Sequence, residues 1–219
     1  MFIETQQKTE KDLRDAGIIP VLALEDLTSG LKLIEALAEN GLKALEITYR
    51  TKAAPEVIKE AKKRFPNMLL GAGTVLNLEH LRQAFDLGAT FAVAPGFNPT
   101  IVQAAVDADY AFCPGIATPS EIEQAFEMGV RMFKFFPAEA MGGIPMLKSL
   151  IAPYKHLGVS FMPTGGVTAK NAPDYLAIPQ VASVGGTWLG KPEDVKAGNW
   201  AKVGEDAKAA MEMLKNARA

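Results

Sequence analysis

One lysine in this chain sits in an unusually apolar setting. Met132-Phe133-Lys134-Phe135-Phe136-Pro137 surrounds a single ammonium with aromatic and thioether side chains, and no acidic residue lies within four positions before it. The run reads as a strand, and a side-chain period of two places Met132, Lys134 and Phe136 on one face with Phe133 and Phe135 on the other. The bulky Phe pair suits packing under helices, so Lys134 is expected on the inner face of a sheet. An ammonium there is poorly solvated, which favours the free amine, and a free amine attacks ketones. The alternatives are a lysine whose stem covers apolar surface while its head reaches the rim, or one that satisfies a buried carboxylate.

A second strand-like run, Ala44-Leu45-Glu46-Ile47-Thr48-Tyr49-Arg50-Thr51, places Glu46, Thr48 and Arg50 on one face. Leu45, Ile47 and Tyr49 are then left for the helices. An inward Glu46 suits proton transfer, and the planar fork of Arg50 suits a bidentate grip on a substrate carboxylate. In the other reading the two merely neutralise one another in a layer of salt bridges.

Three glycine-containing turns complete the set. Gly71-Ala72-Gly73-Thr74 leaves room for a ligand and offers one hydroxyl, but without a third glycine it is no dinucleotide fingerprint. Thr164-Gly165-Gly166 and Gly185-Gly186-Thr187 both end strand-like runs late in the chain, where backbone N–H groups unobstructed by side chains bind phosphate in many α/β barrels. His80, within a helical pattern, and His156, in a loop, are too scattered to hold a metal, and Cys113 reads as a small core residue.

The elements that must position these residues alternate. Apolar runs at 18–24, 44–50, 69–75, 91–96, 111–117, 132–138, 160–166 and 181–189 are separated by amphipathic segments such as Leu31–Asn40, Pro55–Arg64, Glu79–Leu87 and Ser120–Met128. Eight βα units predict a single (β/α)8 TIM barrel over residues 1–219, with an extra N-terminal helix before Ile18 and a last outer helix from Asn199. An open doubly wound sheet is the structural alternative. The 219 residues are 48% hydrophobic and 22% charged, enough for a sizeable core. A net charge of -2 gives no general field for nucleic acid or an anionic membrane, so neither is expected as a partner. The single cysteine suits a reducing compartment, and the charged N-terminus lacks the apolar core of a secretory signal, which points to the cytoplasm.

The run Phe133-Lys134-Phe135-Phe136-Pro137-Ala138-Glu139, followed by Gly142-Gly143, resembles the signature of the class I 2-keto-3-deoxy-6-phosphogluconate and 4-hydroxy-2-oxoglutarate aldolases. The likeness extends through Pro20-Val21, Leu45-Glu46-Ile47-Thr48, Arg50-Thr51, Gly71 to Leu76, Pro95-Gly96, Pro114-Gly115, Pro163 to Gly166 and Gly185 to Trp188. It implies that Lys134 forms an imine, Glu46 shuttles protons, and Arg50 with Thr74 holds the pyruvate-derived carboxylate. It also implies that Pro95 and Phe136 line that pocket and that Thr164 lies near the aldehyde-derived end. Gly165, Gly166, Gly185, Gly186 and Thr187 would then surround the phosphate. The resemblance further implies a phosphorylated keto acid as substrate, a homotrimer, and no metal or cofactor; many members of the family also cleave 4-hydroxy-2-oxoglutarate. Tyr49 stands where the family commonly has leucine and Thr187 where it has serine. Competing readings are a phosphosugar isomerase or epimerase using Glu46 as base, an aldolase for the galactonate epimer, and a non-catalytic phosphometabolite-binding protein.

Overall fold

Strand and helix alternate along residues 2–218, which the computed structural model describes; Met1 and Ala219, at the ends of the expected domain, lie outside the described residues. Helix α1 (Phe2–Ala16) precedes β1 (Ile18–Leu22), α2 (Leu27–Glu39), β2 (Ala44–Thr48), α3 (Ala54–Arg64), β3 (Leu69–Gly73), α4 (Leu78–Asp86) and β4 (Phe91–Val93). After α5 (Pro99–Asp107) come β5 (Phe112–Cys113), β6 (Gly115–Ile116), α6 (Pro119–Glu127), β7 (Met132–Phe135) and α7 (Gly143–Tyr154). The chain ends with β8 (Ser160–Pro163), α8 (Ala172–Leu176), β9 (Val184–Gly186), α9 (Pro192–Ala197) and α10 (Trp200–Ala217).

The strands form a curled parallel sheet, with ladders running β5-β4-β3-β2-β1-β9 and β6-β7-β8. The run expected as one strand over 111–117 is divided at Pro114, which has no N–H to give to a ladder. Its carbonyl is still used, accepting from Lys134 N at 2.9 Å. Isolated bridges pair Phe161 with Val181 and Thr164 with Gly185.

The period of two sorts the side chains as their sequence predicts. Leu45, Ile47, Phe133, Phe135 and Phe161 join the core beneath the helices, with Tyr49 packed against it. Ile19, Ala44, Phe91, Val93, Cys113, Met132 and Met162 form a second cluster on the inner face. Helix α1 contributes Leu13 and Ala16 to that inner cluster. Its buried Gln6 donates from Nε2 to Phe112 O at 3.0 Å and accepts from Arg131 N at 2.7 Å, which ties α1 across the N-terminal ends of the strands. The interior between the strands is thus closed by α1 at this end and opens at the opposite, C-terminal ends.

The loops at that end are held by helix caps. Asp26, Asn77 and Asn98 each accept a backbone N–H in the first turn of α2, α4 and α5. The Asp26 cap explains why α2 starts at Leu27, four residues before the expected Leu31: Thr28-Ser29-Gly30 are poor helix formers, but the cap supplies the missing acceptor. At α6 a reciprocal capping box joins Thr118 and Glu121, whose Oε2 accepts from Ala117 N and Thr118 N at 2.9 Å each. Thr118→Ala is expected to lower the unfolding free energy by ~1 kcal/mol and the melting midpoint by roughly 2–4 °C, as read by urea and thermal denaturation.

Candidate active site

The residues singled out by chemistry converge at the C-terminal ends of the parallel strands, the usual position of ligand sites in α/β folds. Strand β2 supplies Glu46, with Arg50 two residues beyond its end; Thr74 follows β3 directly and Pro95 follows β4. Strand β7 supplies Lys134, with Phe136 next after its end, and Thr164 follows β8. These side chains line one cavity of ≈ 260 Å³, together with Gly165, Gly166, Gly186 and Thr187. A larger hollow of ≈ 760 Å³ lies at the other end of the strands, near Asp12, Lys43 and Asn67, so volume alone does not identify the site. What distinguishes the smaller cavity is a buried charge pair.

Lys134 is 5% exposed and Glu46 1% exposed, and Lys134 Nζ lies 3.1 Å from both carboxylate oxygens of Glu46. Lys134 Nζ also stands 5.6 Å from the centre of the Phe136 ring. The sequence alone offered no acid near Lys134; the fold brings one from a strand 88 residues away. The partner of Glu46 is thus Lys134 and not Arg50, whose Nε donates instead to Thr48 Oγ1 at 3.2 Å. At this distance a proton passed from Nζ to a carboxylate oxygen would leave a free amine beside a carboxylic acid without changing the charge of the cavity. A nucleophile and a general acid arise in the same step.

Room for this pair comes from glycine. A Cβ on Gly73 would lie 2.1 Å from Glu46 Oε1, so the space the sequence suggested for a ligand there is filled by the carboxylate itself. Beside it, Thr74 adopts φ +58, in the left-handed region that a β-branched residue enters only at a cost of ~1–3 kcal/mol. The strain falls on a wall of the cavity.

The far end of the cavity is built from backbone. Gly165 and Gly166 have φ +96 and +79, and a Cβ on Gly166 would come within 2.6 Å of Glu139 Cβ. Glu139 N donates to Gly165 O at 3.0 Å and Ala138 N to Thr164 O at 2.8 Å, which clasps the loops after β7 and β8 together. The Tyr175 hydroxyl donates to Glu139 Oε1, and burial, reinforced by that bond and the carboxylate charge, pushes its pKa up. Gly185 does not line the cavity: a Cβ there would lie 2.3 Å from Thr164 Oγ1, so its role is to seat Thr164.

Two lining residues, Val21 and Thr48, were given no role by the sequence. The period of two had already put Thr48 on the face of Glu46, and that was the available signal. His80 lies outside the cavity, stacked on Tyr49 at 4.6 Å, and burial raises the Tyr49 phenol to about 12. Cys113 is buried in the inner cluster, where burial pushes its thiol up and away from thiolate chemistry.

Comparison with known proteins agrees with this geometry. The family model described as KDPG and KHG aldolase matches residues 9–205. The 2-dehydro-3-deoxy-phosphogluconate aldolase of Haemophilus influenzae is 42% identical over 215 residues, which cover 98% of this chain and 100% of that protein. Among solved structures, the KDPG aldolase of Legionella pneumophila, with pyruvate captured as a covalent carbinolamine intermediate, matches with TM-score 0.87 and 38% identity over 92% of this chain and 97% of the other. The 2-keto-3-deoxy-6-phosphogluconate aldolase of Zymomonas mobilis, with 3-phosphoglycerate, matches with TM-score 0.85 and 40% identity over 94% of this chain and 95% of the other. The chain therefore belongs to the KDPG and KHG aldolase family.

Proposed function

We propose that this protein is a Schiff-base aldolase that cleaves 2-keto-3-deoxy-6-phosphogluconate to pyruvate and glyceraldehyde 3-phosphate, and also 4-hydroxy-2-oxoglutarate to pyruvate and glyoxylate. The observation that carries this reading is the buried Lys134–Glu46 pair at 3.1 Å, the one place where an amine and its proton acceptor meet inside the cavity. The carbinolamine captured in the Legionella pneumophila protein is the species such an amine forms with pyruvate. The 3-phosphoglycerate in the Zymomonas mobilis protein supports a phosphorylated substrate.

Lys134 Nζ, having passed a proton to Glu46, adds to the C2 ketone. Glu46 returns that proton to the carbinolamine oxygen, water leaves, and a protonated imine remains. The Glu46 carboxylate then takes the proton of the C4 hydroxyl, and the C3–C4 electron pair moves into the imine. The aldehyde is released and a neutral enamine stays on Lys134. Protonation at C3 and attack by water free pyruvate and restore the ammonium. Atoms and charges balance without a metal or cofactor. Arg50 and Thr74 hold the carboxylate end, Pro95 and Phe136 flank it, and Thr164 faces the aldehyde end. The backbone of Gly165, Gly166 and Gly186, with the Thr187 hydroxyl, receives the phosphate.

The same reading takes the curled sheet as a closed (β/α)8 barrel in one domain, with α1 across its N-terminal mouth. Its support is that β5 and β6 are one strand interrupted at Pro114 and that the Thr164–Gly185 bridge continues the pairing from β8 to β9. A cytoplasmic homotrimer belongs to this reading too. A phosphosugar isomerase would leave Lys134 unmodified, so the decisive test is chemical. Incubation with pyruvate and borohydride is expected to inactivate the protein and modify Lys134 alone among its 17 lysines. Lys134→Arg should abolish both trapping and cleavage, and Glu46→Gln should slow cleavage by ~10²–10⁴ while leaving the imine trappable. A modified lysine elsewhere, or full activity in Lys134→Arg, would sink the reading.

The phosphate end has a separate expectation. Substituting Gly166 would confound phosphate loss with a clash against Glu139, so Thr187, an exposed wall residue, is the cleaner probe. Thr187→Val is expected to raise KM about tenfold for the phosphorylated substrate and to leave that for 4-hydroxy-2-oxoglutarate nearly unchanged, since one hydrogen bond to a charged group is lost only in the first case. Steady-state pyruvate release from each substrate, and from the galactonate epimer, gives the comparison.

A further inference from the structure

Arg50 is exposed beyond the end of β2, where a long side chain has many rotamers available and loses entropy on being held. Its recorded hydrogen bond fixes one end of the guanidinium: Nε donates to Thr48 Oγ1 at 3.2 Å. Thr48 is itself immobile. It is 1% exposed, β-branched, and its hydroxyl donates to Leu22 O of the neighbouring β1 at 3.1 Å. A hydroxyl carries one proton, so once that proton is given to a carbonyl the oxygen can only accept. The acceptor it offers is met by Arg50 Nε. No hydrogen bond or salt bridge to Nη1 or Nη2 of Arg50 is found among the described residues, so the outer fork is left for an anion.

We propose that Thr48 is a positioning residue that sets the pyruvate carboxylate subsite by acting through Arg50. The chain of contacts runs from the backbone of β1 through the Thr48 hydroxyl to Nε, and leaves the Nη pair to grip the carboxylate in a bidentate manner. Thr48 lines the cavity, but its proton is committed to Leu22 O and it has none to give the substrate. The role requires a hydroxyl: valine has the same shape without the acceptor, whereas serine keeps it. This inference rests on the aldolase reading of the site.

The test is the pyruvate concentration dependence of borohydride inactivation in the full chain, for the native protein, Thr48→Val and Thr48→Ser. Thr48→Val is expected to raise the half-saturating pyruvate concentration about tenfold while the maximal rate stays within about twofold, the size of one hydrogen bond to a charged group. Thr48→Ser is expected to restore the native value to within about threefold, because the acceptor returns even as one methyl is lost. In an Arg50→Ala background, Thr48→Val should add nothing further. If valine prevents folding, as judged by circular dichroism, Thr48→Ala carries the same expectation. An unchanged half-saturation in Thr48→Val, no rescue by serine, or an additional loss in the Arg50→Ala background would each overturn the inference while the imine reading stands. Failure of pyruvate and borohydride to inactivate the native protein would overturn both.

Discussion

A lysine and a glutamate buried together are costly: removing each ion from water carries a penalty of several kcal/mol, repaid only where the charges stay close and well directed. Much of the cavity wall is arranged around keeping Lys134 Nζ 3.1 Å from Glu46. Gly73 gives up its side chain so that the carboxylate has somewhere to lie. The β2–β3 register, which pairs Glu46 with Gly71 and Thr48 with Gly73, places that gap beside the right residue. On the other side, Gly115 of β6 pairs with Lys134, and a Cβ on Gly115 would collide with the Pro95 carbonyl at 2.2 Å. Two glycines, Gly73 on β3 and Gly115 on β6, therefore let Glu46, Lys134 and the Pro95 wall approach one another.

In the proposed reading the two ends of the cavity use different materials for one task, binding an anion in a chain whose net charge is -2. At the proposed pyruvate end the anion would be planar, and a guanidinium anchored through Nε matches that shape. At the proposed phosphate end the anion would be tetrahedral, and glycine backbones at φ +96 and +79 leave no side chain in its way. The second arrangement brings no positive charge and has to be held in shape from outside. The clasp of Glu139 on Gly165, with Tyr175 on Glu139, supplies that support.

Features that depend on neighbours in sequence were legible before folding. The alternation around Lys134 and along Ala44 to Arg50 assigned inner and outer faces correctly, because a strand repeats every two residues whatever surrounds it. Features that depend on register were not. Nothing local links Glu46 to Lys134 across 88 residues, and the sequence left open the alternative that Arg50 neutralises the carboxylate. Gly185 looked like Gly186, but its inner face is occupied by Thr164 from the adjacent strand. The early start of α2 and the break at Pro114 escaped for a further reason, since a cap and a missing N–H act through single atoms that an apolar pattern does not register.

The inner face also shows why the chemistry belongs at one end of the strands. Toward the N-terminal ends, Leu13 and Ala16 of α1 pack on Ile19, Phe91 and Met132 and fill the interior between the strands with apolar side chains. The Phe91 ring lies over Gly71, where a Cβ would be 2.3 Å from its Cζ, so the middle of the sheet is filled by a side chain borrowed from the next strand. One layer further on, the same device recurs with polar groups: Glu46 fills the place of a Gly73 side chain, and Thr164 that of a Gly185 side chain. At these three places a neighbouring strand supplies a group that sits where glycine left room. Because the exchanged group changes from an aromatic ring to a carboxylate and a hydroxyl along the strand direction, the packing device that fills the core also lines the cavity with the polar groups of Glu46 and Thr164.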